Sequence, residues 1–157
     1  VNENIDNNII YINNFFLKII LWLKIPMIGY CSPSVLKSST KETKVKIKLR
    51  RRTKNHLKTM YFGALCIGAD FTAGLLVLNI LKKHKSKANL IFKDFQVDFL
   101  KRADSNIVFI CNNHDIINES VLKNLKFSKR ENFTISVDAF NKKDEIVSKF
   151  KLTTSIK

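Results

Sequence analysis

Residues 60 to 81, MYFGALCIGADFTAGLLVLNIL, are the most hydrophobic stretch of the chain, and they hold one charged residue, Asp70, at their centre. The pattern predicts a helix from a candidate N-cap at Thr59 to about Lys83, where the KKHKSK cluster complements the negative end of the helix dipole. A helix apolar on nearly every face must be enclosed by lipid or by protein. Its length suits a bilayer span. Asp70 argues against that, since a carboxylate at a bilayer centre costs ~2.5–3.5 kcal/mol by insertion scales, and the flanking chain reads as strands with no lipid to go with it. The expectation is a central helix buried against a sheet.

The chain on either side supplies that sheet. Residues 44 to 52 alternate, with Val45, Ile47 and Leu49 on one face and Lys44, Lys46, Lys48 and Arg50 on the other, the period of a half-buried strand with a solvated basic face. Residues 89 to 101 alternate with a single break at Lys93, and NIVFICN (106–112) is a short apolar run. A short helix is expected at Glu119–Leu125. Two alternating strands then follow, around Phe133–Ala139 and Ile146–Leu152, and the turn NKKDE between them makes an antiparallel hairpin. Before all of this, residues 9 to 30 read as an amphipathic helix ended by Pro26. It lies on a membrane surface, covers a pocket mouth or packs on the domain. One twisted sheet cannot cover a central helix on all sides, so a homodimer or a dimer of dimers is expected.

The 157 residues suffice for one domain, read as an N-terminal helical extension over 1–40 and a core over 41–157. A formal net charge of +15 attracts anionic partners such as nucleic acid, acidic lipid or a phosphate-bearing carrier. No nucleic-acid-binding motif or row of exposed aromatics accompanies it, so nucleic acid is not the expected partner. Cys31, Cys66 and Cys111 are odd in number and lack metal-ligand spacing; they read as reduced thiols in a cytoplasmic protein, with no metal site. The sequon matches at Asn118 and Asn132 then carry no meaning. The opening, with Glu3 and Asp6, lacks the positive region of a signal peptide.

One segment narrows the choice. In NHLKTMYFGALCIGAD (55–70), an Asn stands eight residues before a Gly, and an acid follows that Gly by seven: Asn55, Gly63 and Asp70. This resembles the hotdog-fold acyl-CoA thioesterase superfamily, in particular the phenylacetyl-CoA thioesterase-like branch, and FKDFQVDFLKRA (92–103) looks like that family's second strand. The family often has His-Gly-Gly where this chain has Tyr61, Phe62 and Gly63, a pattern shared more closely by an uncharacterised sibling branch. The resemblance covers residues 40 to 157. It implies an α+β hotdog fold, an antiparallel sheet wrapped around a long central helix.

It also implies roles. Asp70 would activate water or attack a thioester directly, Gly63 would offer its N–H to the developing oxyanion, and Asn55 would hold the water or the carbonyl across a dimer interface. Arg52, Lys54, His56 and Phe62 would contact the substrate or its CoA, with no cofactor beyond the acyl-CoA or acyl-carrier substrate. Each residue also has a plainer reading. Asp70 could pair with a Lys or Arg, Asn55 could only make a turn, Gly63 could only permit close packing, and His56 could be a structural hydrogen bonder. His84 and His114 read as surface residues. Two functions therefore stand: thioester hydrolysis, or acyl-CoA binding without catalysis on the same scaffold.

Overall fold

The computed structural model describes residues 10–157; the acidic-polar opening with Glu3 and Asp6 lies outside the described residues. Two short helices come first, α1 (Asn14–Lys24) and α2 (Pro26–Cys31). The expected helix is thus broken at Ile25, and Pro26 opens the second piece at its first position, where a missing N–H costs nothing. Strands β1 (Ser34–Ser38) and β2 (Thr43–Ile47) and a 3₁₀ turn (Arg51–Thr53) lead to the long helix α3 (Phe62–Lys83). The remainder is β3 (Leu90–Phe99), β4 (Ile107–Cys111), α4 (His114–Phe127), β5 (Glu131–Phe140) and β6 (Ile146–Ile156).

The six strands form one sheet in the order β1-β2-β4-β5-β6-β3, every pair antiparallel. Helix α3 lies against it as the hotdog fold requires. Ala69, Ala73, Leu76, Val77 and Ile80 are inaccessible to solvent and share one core with Phe109, Val137, Phe150 and Leu152. Buried polar groups tie helix to sheet: the Thr43 hydroxyl donates to the Thr72 carbonyl (2.9 Å), and Asn79 Nδ2 donates to Ser38 Oγ (2.9 Å) and the Ser39 carbonyl (3.0 Å). Among the described residues α3 is the helix long and apolar enough to cross a bilayer, and it is the core of a domain.

Several elements differ in detail from the sequence reading. Strand β2 stops at Ile47, because beyond it the backbone finds side chains: the Asn106 carbonyl oxygen accepts from Leu49 N (2.9 Å), and the Thr53 hydroxyl donates to the Lys48 carbonyl (2.8 Å). Thr59 does not cap α3; the N-cap is Tyr61, two residues inside the expected boundary. Helix α4 is longer than expected at both ends, buried through Ile117 and Val121 and anchored by His114 Nδ1 at 2.7 Å from the Thr40 carbonyl. The break at Lys93 is a β-bulge in the β3–β6 pairing, between Phe92 and Asp94.

Strand β1 is absent from the sequence reading, and the sheet therefore begins at Ser34 rather than after residue 40. It is five residues long and irregular between Val35 and Lys37. Its outer edge is occupied by a side chain. Asn14 donates from Nδ2 to the Val35 carbonyl (3.1 Å) and accepts from the Val35 N–H at Oδ1 (2.7 Å), as a neighbouring strand would.

Gly68 marks the closest approach of helix and sheet: a Cβ there would stand 2.3 Å from Cε2 and Cζ of the buried Phe109 ring. Gly68→Val is expected to cost roughly 2–3 kcal/mol through overpacking and to lower the midpoint of thermal unfolding by on the order of 5–10 °C. An unchanged midpoint by circular dichroism would show that Phe109 can move aside.

Candidate functional site

The approach to α3 is a hydrogen-bonded turn built on Asn55. Its side-chain oxygen accepts from Leu57 N (3.0 Å), Thr59 N (3.1 Å) and the Thr59 hydroxyl (3.1 Å), and its backbone N–H donates to the Thr59 carbonyl (2.8 Å). Lys58 closes the turn in the left-handed region at φ 61°. The turn is fixed to the domain by Met60 N donating to the Ala103 carbonyl and Tyr61 N to the Thr53 carbonyl, both at 2.8 Å. The oxygen of Asn55 is therefore fully engaged. Its amide Nδ2 has no partner among the described residues and remains a donor.

The helix itself starts open. No side chain caps it, and the first turn holds no acid. The N–H groups of Ala64 and Leu65 both reach the Tyr61 carbonyl (2.9 and 3.2 Å), which leaves those of Phe62 and Gly63 without a partner among the described residues. Two unmet donors at the positive end of a 22-residue helix suit a developing negative charge. They border a cleft of about 380 Å³ whose wall includes Asn55, His56, Phe62 and Phe99.

The cleft contains residues the sequence reading did not assign to a site. Tyr61, its ring centroid 4.7 Å from that of Phe62 and tilted to it by 54°, lies so close to Gly63 that a Cβ there would meet its Cε1 at 2.5 Å. Lys101 and Arg102 face the cleft from the end of β3. Lys101 is held by Glu145 (2.8 Å), while Arg102 has no partner among the described residues. Their only signal in the sequence is a basic pair after a strand.

Asp70 sits two helical turns beyond Gly63, on the same face and about 10 Å further along the axis. It is half-buried, and among the described residues no hydrogen bond or ion pair reaches it. In a chain with 28 Lys and Arg, the plainer reading of a helix acid paired with a cation does not hold. Burial pushes its carboxyl above the ordinary aspartate range. The face it occupies is distinctive. Gly63, Cys66, Ile67, Asp70, Phe71, Gly74 and Leu75 are all only half-buried, an incompletely covered stripe at helical spacing with Asp70 as its one charge. A Cβ at Gly74 would touch Leu90 and Phe92 of β3, so the stripe runs beside that edge strand, where Phe95 and Phe99 are also exposed.

Within one chain, then, Asn55, His56 and Phe62 share the cleft and Gly63 adjoins it, while Asp70 stands apart. Lys54 is exposed on the strand-like entry to the turn, in an isolated bridge with Met60. Arg52 belongs to a second, open cleft of about 610 Å³ with Tyr30, Arg50 and Arg51, its guanidinium 5.9 Å over the Tyr30 ring. No group of three His, Cys, Asp or Glu among the described residues could hold a metal ion.

Comparison with known structures places this architecture. The chain is similar to a Shewanella oneidensis protein provisionally assigned as a thioesterase, with a TM-score of 0.78 at 16% identity over 90% of this chain and 94% of that one. It is also similar to a Chlorobaculum tepidum protein of unknown function, with a TM-score of 0.79 at 12% identity over 91% and 93% of the two chains. A thioesterase enzyme of Staphylococcus aureus gives a TM-score of 0.67 at 10% identity over 84% and 98%. These likenesses show the hotdog fold. No curated protein matches the chain by sequence. A family model, the domain of unknown function DUF4442, matches residues 14–156, and the chain belongs to that family.

Proposed function

We propose that the protein is a thioesterase acting on acyl-CoA or acyl-carrier thioesters, and that it works as a homodimer or a dimer of dimers. The observation that carries this reading is Asp70, an unpaired, half-buried carboxylate in an apolar stripe, in register with the open N–H of Gly63 seven residues before it. A two-fold axis crossing α3 midway between them, near Cys66 and Ile67, would set Gly63 of one subunit against the partner subunit's Asp70. Such a pairing would also cover the stripe and the exposed edge of β3. The spacing of Asn55, Gly63 and Asp70 puts the reading nearest the phenylacetyl-CoA thioesterase-like branch, and the free thiols of all three cysteines suit a cytoplasmic setting.

In this mechanism Asp70 takes a proton from water, and the oxygen attacks the thioester carbon. The carbonyl oxygen gains the charge and receives the N–H groups of Gly63 and Phe62, while Asn55 Nδ2 steadies the water or the carbonyl. The carbon–sulfur bond breaks, the thiolate takes the proton from Asp70, and free acid and thiol leave. Phe71, Phe95 and Phe99 would line the acyl side, and Arg102, Lys54 and His56 would draw the carrier's phosphates, with Arg52 apart in the Tyr30 cleft. The Tyr61 ring over Gly63 favours a second reading, acyl-CoA binding without hydrolysis.

Thiol release from short-, medium- and long-chain acyl-CoAs separates the two. Wild type is expected to hydrolyse one class, and Asp70→Asn to lower its turnover by roughly 10²–10⁴. The base form of Asp70 is required, so kcat/KM should fall as pH drops through a value above the ordinary aspartate range. Binding with no release by folded wild type would select the second reading.

The same substitution has an opposite effect on stability. An acid whose folded pKa is raised opposes folding fully above that value and not at all below the unfolded one. Asp70→Asn is therefore expected to raise the thermal midpoint by a few degrees at pH 7. The gain should vanish as pH falls below about 4. An equal gain at both pH values would show that the benefit comes from packing rather than from charge.

A further inference from the structure

Helix α1 is amphipathic in the inverted sense. At 100° per residue, Trp22, Phe15, Ile19, Leu23, Phe16 and Ile20 follow one another around roughly 160° of its circumference. Every one of them is exposed, Leu23 by 79% and Phe15 by 68%. No polar residue interrupts the arc, and Lys18 and Lys24 bracket it on the two sides. The opposite side holds the helix to the domain through buried Leu21 and through Asn14 on Val35. Its posture is rigid as well, since a Cβ at Gly29 of α2 would stand 2.8 Å from the backbone nitrogen of Trp22.

The apolar surface runs on into charge. Ile25 and Met27 extend it, Trp22 meets Tyr30 edge-on at 6.3 Å, and Arg52 lies over the Tyr30 ring. Arg50 and Arg51 line the same open cleft. Between residues 10 and 41 the chain has no Asp or Glu. An exposed apolar wedge with Trp and Tyr at its margin, and with cations as the charges described around it, complements an anionic bilayer, apolar groups entering among the acyl chains and cations remaining at the headgroups.

We propose that α1 and α2, with Arg50–Arg52, form a docking surface for an anionic lipid bilayer. A second copy of the chain is a poor occupant, because a two-fold contact here would bring two sets of these cations together with no acid from residues 10–41 to offset them. The surface also sits by β1, at the other end of the sheet from β3. The proposal stands independently of thioester hydrolysis.

Trp22 is the chain's single tryptophan, which makes it a reporter for the test. The full chain is mixed with phosphatidylcholine vesicles with and without about 30% phosphatidylserine. The expected result is cosedimentation and a blue shift of Trp22 emission with the anionic vesicles, with quenching by lipids brominated in their acyl chains. Leu23→Asp, at the most exposed position of the arc, should weaken binding on the order of tenfold or more. Arg50→Glu with Arg51→Glu should do the same. Phe15→Asp, at the other end of α1, repeats the apolar test should the first variant misfold. Absence of binding to anionic vesicles would overturn the proposal, as would binding unchanged in all these variants. So would wild type that ignores vesicles and loses its oligomeric mass, by light scattering, in Leu23→Asp, since a second copy would then own the face.

Discussion

A long apolar helix has more surface than one sheet can cover. Helix α3 buries Ala69, Ala73, Leu76, Val77 and Ile80 completely against the sheet, and that contact is the main apolar contribution to the fold. It also sets what remains. The residues on the far side, at the same helical spacing, are left half-covered because the sheet ends at β3. The candidate chemistry lies along that uncovered line. Asp70 is tolerated among apolar neighbours because its face is not sealed within the chain, and among the described residues no cation pairs with its carboxyl.

The two clefts divide residues that the sequence presents as one basic run. Residues 50 to 56 appear continuous, yet the 3₁₀ turn at Arg51–Thr53 and the turn at Asn55 point them in different directions. Arg50–Arg52 join the Tyr30 side, and Asn55 and His56 join the start of α3.

Most of the architecture was legible because it obeys simple periods. Alternation marked β2, β3, β5 and β6, a short apolar run marked β4, the lapse at Lys93 marked a real bulge, and NKKDE became a turn with Asp144 in the left-handed region. Strand β1 was not legible, since SVLKS has no clean alternation and is held by pairing to β2 and by Asn14, both distant in sequence. The start of α3 was misplaced for a related reason: Thr59 has the chemistry of a cap, but Asn55 claims its hydroxyl. At the site, the lone acid in an apolar helix marked Asp70, and the resemblance to the hotdog thioesterases added Asn55 and Gly63. Neither could show that the oxygen of Asn55 is consumed by its own turn, or that Tyr61 covers Gly63, because both depend on side-chain direction. Nor could they place Arg102 across the cleft, which requires the Met60–Ala103 contact to bring two remote segments together.

The amide of Asn14 on Val35 has a consequence for how large an assembly can grow. A sheet with two bare edges can recruit copies without end, as fibrils do. Here Asn14 fills the ladder positions at Val35, and the N–H of Ile10 takes the Ser38 carbonyl (2.7 Å), so the β1 margin is stoppered by the chain's own beginning. Among the described residues, the margin left without such a partner is that of β3. A second copy joined there would turn its own stoppered margin outward, and strand-by-strand addition would end at two.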